Sequence, residues 1–119
     1  MNDCVFCKKE NIKSNIFEIG DCYIFEPLDP VVPGHILVVP KKHVTDFSSQ
    51  DLAVKEAFGV ASYWVREKLT GDYNLITSKG VNATQSVMHF HIHLVPRKEN
   101  DGLKLPWTEQ QQMRKMCEV

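Results

Sequence analysis

Gln85-Ser86-Val87-Met88-His89-Phe90-His91-Ile92-His93-Leu94-Val95-Pro96 reads as one strand, and the fold turns on it. Side chains of a strand alternate between faces, so from Met88 to Leu94 this run sends His89, His91 and His93 to one face. Met88, Phe90, Ile92 and Leu94 fall on the other, which is apolar enough to cover a helix or the sheet core. Upstream, Asn15-Ile16-Phe17-Glu18-Ile19 and Cys22-Tyr23-Ile24-Phe25-Glu26 flank Gly20-Asp21 and predict two strands joined by a two-residue hairpin. Pro27, Pro30 and Pro33 force an extended loop that ends at Gly34, and a third strand, His35 to Pro40, follows directly.

Between the third strand and the histidine run the period changes. Ala53, Ala57, Val60, Ala61 and Trp64 recur at helical spacing, which predicts a helix from Ser48 or Ser49 to Leu69. A serine caps it, Asp51 lies in its first turn and Gly71 stops it. Tyr73 to Thr77 reads as a fourth strand, and a polar loop through Gly80 and Asn82 leads to the histidine strand. The tail has a broken Leu105-Pro106-Trp107 segment and a short helix that Thr108 caps. Trp107 serves either a site, a partner or a buried anchor. Five strands with one long helix between the third and fourth predict an α+β fold with the helix on one sheet face. The order of elements argues against a doubly wound parallel sheet.

A chain of 119 residues, 43% of them hydrophobic, fits one domain spanning residues 1–119, with one core and one dominant site. There is no internal repeat or linker. The formal net charge of -1 offers no broad field for nucleic acid or an anionic membrane, so a phosphate ligand must be held locally. The N-terminal residues carry no secretory pattern and no stretch is long enough to span a bilayer, so a cytoplasmic location is expected. In a reducing compartment Cys4 and Cys7 are metal ligands, a redox pair or small buried apolar residues; Cys22 and Cys117 read as incidental.

Three histidines in strict alternation, out of five in the chain, admit a polar surface strand, a transition-metal site or a catalytic cluster. The segments 4–7 (CVFC), 30–43 (PVVPGHILVVPKKH) and 83–97 (ATQSVMHFHIHLVPR) together resemble the histidine triad (HIT) family, in its order and over nearly the whole chain. That resemblance implies a HIT-like fold: a five-stranded antiparallel sheet, one long helix and a short C-terminal helix. It implies a nucleotide hydrolase or nucleotidyl transferase, such as a phosphoramidase or dinucleoside polyphosphate hydrolase, acting at the α-phosphorus of an adenosine-containing nucleotide. The alternative is a non-catalytic nucleotide receptor or scaffold.

By resemblance, His91 is the nucleophile, His93 contacts phosphate oxygens, the carbonyl of His89 holds the His91 ring, and His35 supports the triad. Gln85 and Ser86 match the phosphate-binding pair, and Phe6, Phe25, Leu28 and Leu37 match the base pocket. In zinc-bearing members the ligands map to Cys4, Cys7, His43 and His89, a closed tetrahedral set suited to a structural zinc. A homodimer is implied as well. The sequence departs from the family where Pro27 replaces the acidic or amide residue that binds ribose, with Asp29 as a substitute two residues on. Thr84 stands in place of a glycine, and Ser78 in place of an asparagine. The histidine-proline-histidine signature of related uridylyltransferases is absent, which favours hydrolysis over transfer to a sugar phosphate.

Overall fold

The computed structural model describes residues 4–12 and 14–117. Strands β1 (Ile16–Ile19) and β2 (Cys22–Phe25) pair with Ile19 opposite Cys22, leaving Gly20-Asp21 as the turn. Gly20 has φ 56°, the left-handed conformation that a two-residue hairpin asks of its first position. Strand β3 (Ile36–Pro40) adds to β2, β5 (Ile92–Arg97) adds to β3, and β4 (Asp72–Ile76) closes the far edge. All four pairings are antiparallel, in the order β1-β2-β3-β5-β4. Helix α1 (Leu52–Lys68) links β3 to β4, and α2 (Thr108–Cys117) ends the described chain. This is the expected α+β architecture.

The long helix lies on one face of the sheet. Val54, Ala57, Val60 and Ala61 are buried at helical spacing, against Ile24, Val38, Phe90, Ile92 and Leu94. Burying an aliphatic or aromatic side chain stabilises by about 1.5–3 kcal/mol, so the Phe90, Ile92, Leu94 row sets the register of the strand. A slip of one residue would drive imidazoles into the core. The opposite face carries a smaller cluster of Phe6, Phe25, Leu37 and Val39. Among the described residues no helix is long and apolar enough to cross a membrane.

Several local boundaries differ from expectation. Neither serine caps α1: Asp51 does, with extended backbone (φ -62°, ψ 139°) and its carboxylate accepting from the Ala53 N–H at 2.9 Å. Ser48 and Ser49 are engaged elsewhere, by the Asp46 carboxylate and the Asp51 N–H. The helix ends at Lys68. Strand β4 starts and stops one residue earlier than expected. Thr108 is the first residue of α2, not its cap, and its hydroxyl accepts from the Leu105 N–H at 2.7 Å.

The histidine strand begins at Ile92, not Gln85, because the Phe90 N–H leaves the sheet to bond the Val44 carbonyl at 2.6 Å. Alternation still buries Phe90, Ile92 and Leu94, but Met88, in the bent approach, is 42% exposed. Trp107 is 49% exposed, so it is no buried anchor. Cys22 is fully buried among core residues, and burial pushes its thiol up to about 12, which makes it inert packing. The side chain of Cys117 lies outside those described.

Candidate active site

His89, His91 and His93 emerge on the side of the sheet away from α1, where Phe6 stands edge-on to both His89 and His91, ring centroids 6.0 and 5.3 Å away. His91 Nδ1 lies 2.7 Å from the His89 carbonyl. A carbonyl can only accept, so Nδ1 carries a proton, and in the neutral ring Nε2 is then the nitrogen with the lone pair. The backbone here is tied from β4's end, where the Thr77 hydroxyl donates to the His91 carbonyl at 2.7 Å.

A second deduction fixes His93. The Val31 N–H donates to His35 Nδ1 at 3.1 Å, so the proton of His35 sits on Nε2. His35 Nε2 then donates to His93 Nδ1 at 2.9 Å, which leaves His93 with its proton on Nε2. Both rings are neutral near pH 7. Burial, with His91 and His35 beside it, lowers His93 to about 4, and burial likewise lowers His35. The pair thus presents a fixed, uncharged N–H donor. Gly34, at φ 91° and with Pro96 only 3.3 Å from where a side chain would start, tighter than ordinary contact, turns the proline loop so that His35 reaches this position.

Beside these rings opens a cleft of about 280 Å³, walled by Phe6, Phe25, Leu28 and Leu37, with Ser86, His91 and His93 at its polar end. The cleft brings together every base-pocket residue expected from the sequence. Leu28, 83% exposed, forms its rim. Pro27 is on the wall, but Asp29 is exposed and outside it. Asn11 and Glu26 line the cleft and were marked by no motif.

Gln85 is not on the wall. Its amide nitrogen donates to the Thr45 and Val87 carbonyls at 2.7 and 3.1 Å, and its oxygen accepts from the Gly80 N–H at 2.8 Å. With both amide hydrogens committed, its side chain braces the loop from behind and Ser86 faces the cleft. Thr84, in the same loop, has φ 68° and ψ 26°. A β-branched residue held in this region costs of order 1–3 kcal/mol, so the surrounding loop must hold it there.

A second cluster lies behind the triad. Donor atoms of Cys4, Cys7, His43 and His89 all fall within 4.8 Å of one another. Cys4 and Cys7 Sγ approach His89 Nδ1 at 3.3 and 3.5 Å, and Cys7 Sγ approaches His43 Nδ1 at 3.1 Å. Tetrahedral zinc, with bonds of about 2.0–2.3 Å, would set such atoms about 3.3–3.8 Å apart. His89 donates from Nε2 to the Pro40 carbonyl at 2.7 Å, so its Nδ1 lone pair faces the thiols, the orientation a metal ligand needs. Burial and the adjacent Cys4 push the Cys7 thiol upward, a penalty that a bound cation would reverse. On distances, tautomer and chemistry, the four residues fit a divalent metal. His89 belongs to both clusters: its ring faces the thiols and its carbonyl holds His91.

A family model for the HIT domain matches residues 8–100. The adenosine 5'-monophosphoramidase of Saccharomyces cerevisiae is 32% identical over 113 residues, covering 91% of this chain and 72% of the yeast protein. The adenylylsulfatase of Arabidopsis thaliana is 32% identical over 110 residues, 86% of this chain and 56% of the plant protein. A solved HIT family protein from Bacillus anthracis shares the fold at a TM-score of 0.73 and 32% identity, covering 98% of this chain and 92% of that one.

Proposed function

Because this chain belongs to the histidine triad (HIT) family, we propose that it hydrolyses a nucleoside phosphate at the α-phosphorus through a nucleotidyl intermediate on His91. The observation that carries this reading is the bond from His91 Nδ1 to the His89 carbonyl, which makes Nε2 the lone-pair nitrogen of the neutral ring, beside an apolar cleft. That nitrogen attacks phosphorus, and the leaving group departs with the electron pair of its bond. Water then displaces the histidine and gives up one proton, releasing a nucleoside monophosphate.

Charge building on the phosphoryl oxygens needs donors aimed at it in advance, each worth about 2.7–4 kcal/mol in comparable sites. The N–H at His93 Nε2, oriented through His35, supplies one, and the Ser86 hydroxyl supplies another. The base rests between Phe6, Phe25, Leu28 and Leu37. Cys4, Cys7, His43 and His89 would hold a structural zinc whose four protein ligands leave no position for a catalytic water. Its contribution is to fasten the N-terminal segment to the sheet and hold the His89 carbonyl under His91. The same reading takes residues 1–119 as one domain that works as a cytoplasmic homodimer; that its nucleotides contain adenosine is supported by the names of the yeast and plant relatives.

The direct test is a panel of adenosine 5'-phosphoramidate, adenosine 5'-phosphosulfate and diadenosine polyphosphates, with release of AMP as the readout. Turnover of at least one is expected. Nucleotide binding without turnover of any would overturn hydrolysis in favour of a nucleotide receptor.

A further inference from the structure

A second cleft, of about 290 Å³, opens on the other side of His93. Its walls include His35, Ser78, Thr84, Arg97, Lys104 and Leu105. Among the described residues His93 is the one that lines both this cleft and the nucleoside cleft; His91 lines the nucleoside cleft alone. A phosphorus atom attacked by His91, with its oxygens against His93, therefore has its apical leaving group directed past His93 toward the second cleft.

The two clefts differ in charge. The nucleoside cleft carries Glu26 and no cation, whereas the second carries Arg97 and Lys104 and no carboxylate on its walls, among the described residues. Arg97 is largely committed: it forks onto Asp101 at 2.8 and 3.1 Å, donates to the Leu103 carbonyl at 2.9 Å and reaches Asn74 at 2.6 Å. Its work is to tie the returning chain down across β4 and β5, which sets Lys104 at the mouth of the cleft. Among the described residues Lys104 meets only Glu109, at 3.3 Å, and both are mostly exposed, at 68% and 74%. An exposed pair of this kind is weak, so the ammonium group is free to meet a ligand.

We propose that this cleft is the leaving-group subsite, and that Lys104 makes it select oxyanion leaving groups, sulfate or a phosphate chain, over neutral amines. The proposal rests on the hydrolytic reading above and adds the substrate class. With adenosine 5'-phosphosulfate the bond from His91 Nε2 to phosphorus forms as the bridging phosphorus–oxygen bond breaks, and sulfate leaves with the electron pair, needing no proton. Water then replaces nitrogen at phosphorus and gives one proton to solvent. An amine leaving group must instead gain a proton, and it departs with no negative charge for Lys104 to meet.

The experiment measures kcat/KM of the full chain for adenosine 5'-phosphosulfate and for diadenosine tetraphosphate, each relative to adenosine 5'-phosphoramidate. All three share the adenylyl group, so the ratios isolate the leaving group. Lys104→Ala should lower both ratios by about threefold and Lys104→Glu by about tenfold, while Lys104→Arg holds them near wild type. A fall in the sulfate ratio alone assigns the subsite to sulfate, and a fall in the tetraphosphate ratio alone assigns it to a phosphate chain. Ratios indifferent to the charge at position 104, with the wild type active, would overturn the subsite and leave the hydrolase reading standing. A wild type that turns over none of the three substrates would overturn both.

Discussion

His91→Ala is expected to lower turnover by ~10⁴-fold or more, while AMP still binds within a few-fold of wild type. The size of the effect follows from what is removed. The substitution takes away the attacking atom but leaves His93, His35, Ser86 and the apolar cleft, so binding energy persists and the covalent step does not. Titration calorimetry with AMP and single-turnover assays on the same preparation separate the two quantities. The bonds that hold the neighbouring backbone, from Thr77 and from Phe90, use main-chain atoms of this segment and survive the substitution. Added imidazole should restore part of the rate by entering the vacated space. A variant that kept more than about a tenth of wild-type turnover would mean that another group makes the bond to phosphorus.

Loss of the metal should have the second largest effect, and on stability more than on chemistry. Protein purified without chelator is expected to contain about one zinc per chain, and its cobalt form should show the absorption of a tetrahedral site with thiolate ligands. Replacing Cys4 and Cys7 together by serine should cost about 2–5 kcal/mol and lower the melting temperature by roughly 10–20 °C. The chain keeps its own core under α1, so unlike a zinc finger it should remain folded without the ion. What it loses is the tie between the N-terminal segment, with Phe6 in the cleft wall, and His89 on the approach to β5. Turnover should fall less than tenfold at temperatures where the variant is folded. Chelated wild type that melts at the temperature of the untreated protein would rule out a structural metal here.

How far the residues announced all this depended on the range of the interactions involved. The hairpin at Gly20-Asp21, the helix through Ala57 and Val60 and the alternation of Phe90, Ile92 and Leu94 are local patterns, and each element formed where its period placed it. The errors sit where a distant partner decides. Alternation cannot reveal that the Phe90 N–H bonds Val44, so the pattern alone puts the start of β5 at Gln85, seven residues before Ile92. Asp51 outcompetes two nearby serines as the cap of α1 because their hydroxyls are taken by other groups. The same limit applies to the site. The His-x-His-x-His pattern was plain, yet the tautomer of His93 depends on His35, far away in sequence, and on the Val31 N–H behind it. Gln85 matched a phosphate-binding motif, but its amide is committed to backbone groups from Thr45, Gly80 and Val87. Asn11 and Glu26 enter the cleft only because the N-terminal segment and the end of β2 meet there.

The covalent role of His91 is the central claim, and the stereochemical course at phosphorus tests it most directly. The measurement uses a nucleotide substrate carrying a stereodefined α-phosphorothioate, turned over in isotopically labelled water, with the configuration of the product thiophosphate then determined. Attack by His91 followed by attack by water inverts phosphorus twice, so net retention is expected. Ser86→Ala should slow the reaction, through loss of one donor, and still give retention. Net inversion by the wild type would mean that water attacks directly, and would contradict a nucleotidyl-histidine intermediate.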